Sequence, residues 1–103
     1  MKNMGDILRQ AQVMQNKLSK LQQEMGAREF EAGSGGGMVT ARVSGSQDLL
    51  ALVIDPKAFE GGDVEMLQDL ILAAVNEAMR IAKNSMEREM NALTGGIKVP
   101  GMI

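Results

Sequence analysis

Most neutral-pH enzyme chemistry draws on an imidazole or a thiolate, and among the 103 residues of this chain there is no His and no Cys. Ser-His and Cys-His nucleophile systems, the imidazole proton shuttle and zinc sites of the usual N/S type are thereby removed. Carboxylate pairs remain: Glu29 with Glu31 and Glu87 with Glu89 stand two residues apart, a spacing that oxygen ligands of a divalent cation can share within a larger cluster. No such cluster surrounds them, and solvated side chains account for both pairs. The run Gly33-Ser34-Gly35-Gly36-Gly37 has the composition of a phosphate-cradling loop. A P-loop, however, needs Lys and Ser/Thr opening a helix, and Met38-Val39 opens a strand here. No enzyme, metal, cofactor or small-molecule substrate is expected.

Cations offer a different chemistry, the binding of anions. The chain holds 11 Lys+Arg against 13 Asp+Glu, a net charge of -2 that argues against coating nucleic acid by bulk charge. The distribution differs: residues 1–25 carry Lys2, Arg9, Lys17 and Lys20 against Asp6 and Glu24. At about 100° per helical residue, Lys2, Arg9 and Lys20 nearly superimpose and Lys17 is one neighbour away, forming a basic stripe. A solvated polar face explains the same stripe. Later in the chain Arg80, Lys83 and Arg88 are interleaved with Glu77, Glu87 and Glu89, where pairing along one helix is sufficient explanation.

The elements that must carry these residues follow from periodicity. Met4, Ile7, Ala11, Met14, Leu18, Leu21 and Met25 alternate steps of three and four, a heptad seam predicting a helix over 4–25 that ends at Gly26 and in part projects. Its narrow stripe suits packing against one or two partner helices. The segment 28–32 is followed by a turn or loop at 33–37. Val39, Ala41 and Val43 then alternate with polar neighbours as in a half-buried strand, and Gly45-Ser46-Gln47-Asp48 supplies a hairpin turn. The returning strand, 49–54, is apolar at every position, so both faces need cover. A second sheet from an identical chain would supply it, making the protein a homodimer.

Asp55-Pro56 ends that strand, Gly61-Gly62 links onward, and Asp63 caps a second long helix reaching residue 93. Its Leu70 to Val75 stretch is apolar all round, predicting burial against sheet and partner, while Glu87-Arg88-Glu89 marks a solvated part. The tail 94–103 is expected to be poorly ordered. The ten Met residues suit an adaptable binding surface, but seam and core account for most of them. No apolar signal core opens the sequence and no window approaches a membrane span, so a cytoplasmic protein without membrane contact is expected.

Several strings in order resemble the YbaB/EbfC family of bacterial nucleoid-associated proteins over nearly the whole chain. They are Leu8-Arg9-Gln10-Ala11-Gln12 with Met14-Gln15, Gly36-Gly37-Met38-Val39, Ile54-Asp55-Pro56, Glu65-Met66-Leu67, Asp69-Leu70-Ile71, Ala73-Ala74-Val75-Asn76, Leu93-Thr94-Gly95-Gly96 and Pro100-Gly101. The resemblance implies an α+β protomer of order α-β-β-β-α, an antiparallel three-stranded sheet over 28–54 flanked by two long helices. It further implies a tweezer-like homodimer, with sheets packed together, that contacts duplex DNA in the nucleoid. Carried over by position, the DNA-binding candidates are Arg9, Lys17 and Lys20 on the first helix and Arg80, Lys83 and Arg88 on the second, acting on phosphates. Thr40 and Ser46 stand where family members commonly carry Lys, which thins the basic surface. A second reading, motivated by the acidic balance, is a protein adaptor or chaperone-like factor acting with DNA repair or replication proteins.

Overall fold

The computed structural model describes residues 3–93. Asn3 caps the first helix: its side-chain oxygen accepts the Asp6 N–H at 3.0 Å, satisfying one of the donors that a helix start leaves open. Asp6 also suits the positive first turn. Helix α1 then runs Met4–Gly26. Gly26 is its last residue and not its stop. Ala27 closes it in ordinary right-handed backbone (φ -85, ψ -10), its N–H donating to the Gln23 carbonyl, so no left-handed glycine is needed.

Three antiparallel strands follow, β1 (Glu29–Ser34), β2 (Val39–Ser44) and β3 (Leu49–Ile54), in the order β1-β2-β3. The first strand is longer than its composition suggests. Gly33 pairs with Thr40 and Ser34 with Val39, so the predicted loop at 33–37 contracts to a tight turn in which Gly35, Gly36 and Gly37 have φ of 60, 69 and 99. Ladder hydrogen bonds and the Ser34 hydroxyl, which donates to the Leu70 carbonyl at 2.5 Å, outweigh the low strand propensity of glycine. At the second turn the positive φ falls on Gln47 (71) and not on Gly45.

A one-turn helix at Pro56–Phe59, capped by Asp55 through the Lys57 N–H at 2.9 Å, is an element that periodicity did not announce. Asp63 then caps helix α2 (Val64–Leu93) as expected, its carboxylate accepting the Met66 N–H at 2.9 Å. Ala74, Ala78 and Ala82, four apart, lie buried in one core with Val39, Ala41 and Val43 of β2, and with Phe30 and Ala32 of β1 against it. Small residues at this spacing let helix and sheet approach closely.

Two expectations of burial are not met within one chain. Helix α2 lies across β1 and β2 and leaves β3 largely open. Cross-strand register places Ile54, Leu52 and Leu49 on the helix side, opposite Val39, Ala41 and Val43, and Val53 and Ala51 on the far side, with a bulge at Leu50. Leu50 is 50% and Val53 61% exposed. Likewise Leu72, within the stretch of α2 that is apolar all round, is 59% exposed. The far face of the sheet is polar at β1 and β2, where Arg42 pairs with Glu29 at 3.5 Å.

Helix α1 contributes nothing to that core and projects away from the sheet. Only its final turn is anchored. Met25 is buried, the Ser46 N–H donates to the Gly26 carbonyl at 3.2 Å, and the Gly45 N–H donates to the Arg28 carbonyl at 2.8 Å. Arg28 forms an ion pair with Glu89 of α2. The result is a body of 75 × 24 × 16 Å with a radius of gyration of 20.3 Å, where a compact chain of this length would have about 13 Å. The tail predicted at 94–103 lies outside the described residues.

Candidate nucleic-acid interface

Arg9, Lys17 and Lys20 sit on the projecting helix, all exposed. Helical spacing puts Arg9 and Lys20 on the side opposite Met4, Ile7, Ala11, Met14 and Leu18, and Lys17 on the flank between the two faces. None of the three cations forms an ion pair among the described residues. From Arg9 to Lys20 the stripe extends roughly 16 Å along the axis, at 1.5 Å per residue.

On α2 the candidates divide. Arg80 and Lys83 lie on the outer side, away from Ala74, Ala78 and Ala82, and Arg88 is exposed further along. Arg80 is already engaged: its guanidinium donates to both Glu77 carboxylate oxygens, at 3.0 and 2.5 Å. That hydrogen bonding, with the charge of Arg80, holds the Glu77 carboxyl below the usual carboxylate range and raises the pKa of Arg80. Lys83 and Arg88 carry no such partner among the described residues. The six candidates therefore form a line of three on α1 and a separate, partly neutralised group on α2.

The structure adds neighbours that charge counting passed over. Arg9, Gln10, Val13, Met14 and Lys17 border a shallow depression on α1. Gln10 is an uncharged donor between two cations, able to hydrogen-bond a phosphate oxygen without adding charge. Its position one residue after Arg9 was a usable signal. The carboxylate pairs acquire other roles, because Glu29 is held by Arg42 and Glu89 by Arg28. Among the described residues no three acidic side chains converge on a metal-sized site, and no helix is long and apolar enough to cross a membrane.

The model of the YbaB/EbfC DNA-binding family matches residues 1–97. This chain belongs to that family. A nucleoid-associated protein of Moorella thermoacetica is 48% identical over 101 residues, covering 98% of this chain and 97% of that protein. One from Alkaliphilus metalliredigens is 45% identical over 100 residues, covering 97% and 88% respectively. Among solved structures, the uncharacterized protein HP0035 from Helicobacter pylori superposes with a TM-score of 0.73 at 22% identity, covering 90% of this chain and 98% of that one. At that identity the likeness concerns the fold, and it agrees with the order helix, three antiparallel strands, helix.

Proposed function

We propose that the protein is a nucleoid-associated DNA-binding homodimer of the cytoplasm that grips duplex DNA through phosphates, without catalysis, cofactor or small-molecule substrate. The observation that carries this reading is the line of cations Arg9, Lys17 and Lys20, unpaired among the described residues, along a helix that stands clear of the body. Its relatives at 48% and 45% identity bear the name nucleoid-associated protein. Lys83 and Arg88 supply secondary contacts, and Arg80 contributes when it leaves Glu77. Nothing in these side chains is arranged to read base edges, so binding is expected to tolerate any sequence.

Pairing of two copies is supported by the apolar surface that β3 and Leu72 leave uncovered, since a lone chain would hold Leu50, Val53 and Leu72 in water. Two chains bring two α1 helices. Three phosphate contacts from each give a slope of log K against log salt of about -5 for the dimer. The net charge of -2 adds no bulk attraction, so affinity depends on both arms engaging one duplex.

Mobility-shift titrations at two salt concentrations on unrelated duplexes of equal length test the proposal. Steep salt dependence on every duplex is expected, together with loss of binding when Arg9, Lys17 and Lys20 are reversed to Glu. Unchanged binding by that triple variant would discard the α1 mechanism. No shift of any duplex at low salt would favour the adaptor reading, for which a partner surviving nuclease treatment is the corresponding assay.

A further inference from the structure

We propose that the apolar face of α1 is a self-association surface, taken up by α1 of a second copy running antiparallel to it. The face is long, regular and open: Met4 is 73%, Ile7 52%, Met14 59% and Leu18 43% exposed, and Ala11 lies between them. No other described element of the chain reaches it, because α1 meets the rest only at its final turn. Six seam positions in unbroken heptad spacing are the pattern of a helix that expects another helix, not a sheet.

The seam is complementary to itself in one orientation. Set antiparallel about a two-fold axis between Ala11 and Met14, Met4 meets the partner's Leu21, Ile7 meets the partner's Leu18, and Ala11 meets the partner's Met14. Each small residue then faces a large one, as a filled interface requires. A parallel, in-register pairing would set Ala11 on the partner's Ala11 and Met14 on the partner's Met14, leaving a void beside a crowded layer. The flanks agree with the antiparallel choice. Gln10 comes beside the partner's Lys17, and Glu24 comes over the start of the partner's α1, the positive end of its helix dipole. No like charges are brought together along the seam. Arg9 and Lys20 stay on the outer side and remain open to phosphate, whereas Gln10 and Lys17 border the contact.

A chain that pairs through this surface and through β3 about two different two-fold axes assembles beyond two copies. With so few layers the contact is weak and concentration-dependent.

Because the chain has no Cys, single thiols report the geometry cleanly, and the substituted positions are exposed, so helix content by circular dichroism should be unchanged. Purified Ile7→Cys and Leu18→Cys proteins are mixed without DNA and oxidised mildly with glutathione disulfide. We expect a disulfide-linked species containing one of each. Neither variant should crosslink alone, since identical positions lie about 16 Å apart in this arrangement, beyond disulfide reach. Self-crosslinking of Ile7→Cys equal to that of the mixture, or no crosslinking in the mixture, overturns the proposal. Light scattering at high concentration gives an independent reading: Leu18→Glu should lower the mean mass of the full-length protein, and an unchanged mass counts against the contact. Neither experiment involves DNA, so its failure is distinct from failure of the DNA-binding reading.

Discussion

Arg80 and Glu77 show how a cation can be present in sequence and already engaged by a neighbour. Their pairing holds Arg80 against its own helix, and the depressed Glu77 pKa means that the pair stays ionised at neutral pH. It breaks only as pH falls through that lowered value; whatever stability the pair contributes is present above the ordinary carboxylate range and lost below it. With no His in the chain, DNA affinity at constant salt should be flat between about pH 6 and 8, as a pH series of mobility shifts would reveal. Glu77→Gln removes the competing negative charge and one of the two acceptor oxygens. It should tighten DNA binding and steepen the salt slope by about 1 for each arm that gains a phosphate contact. Gly45 is a second case in which residue identity is set by a neighbour. Its backbone is unremarkable, but a Cβ there would overlap the Met25 carbonyl oxygen and press on the Met86 sulfur. Gly45→Ala should therefore cost about 1–3 kcal/mol in urea unfolding, whereas Gly36, with positive φ and open space around it, should cost less when changed to Ala.

Among the elements, periodicity was a faithful guide where one face alone decides the structure. The heptad from Met4 to Met25, the alternation of Val39, Ala41 and Val43, and the Asp63 cap all reappear in the fold, because each reflects a local rule acting over a few residues. Gly33 and Ser34 were illegible as strand because their pairing depends on Thr40 and Val39 across the turn and on Leu70 of a distant helix. The short helix after Pro56 has too few residues to show a period. In the candidate site, the cations of α1 were legible from spacing. The capture of Arg28 by Glu89 and of Arg42 by Glu29 was not, since both join residues remote in sequence. The uniformly apolar β3 signalled two faces in need of cover, and one chain covers neither fully. Leu52→Glu on that strand should shift the protein toward monomer in sedimentation while leaving the α2–β2 core folded.

For the molecule as a whole, folding and reach are divided between different residues. Val39, Ala41, Val43, Ala58, Leu67, Ala74, Ala78 and Ala82 make the core, and none lies on α1. A chain lacking residues 1–20 should therefore keep a cooperative unfolding transition while losing DNA binding, with calorimetry and mobility shift as the paired readouts. The anchorage of α1 at one end also makes it a lever. Its 23 residues extend about 34 Å beyond a pivot at Gly26 and Ala27. A rotation of 10° at that pivot carries the tip through about 6 Å, so a small change in the packing of Met25 against the turn at Gly45 is magnified at Arg9. In the proposed dimer the socket, though it need touch no nucleic acid, would thereby set the span between the two arms.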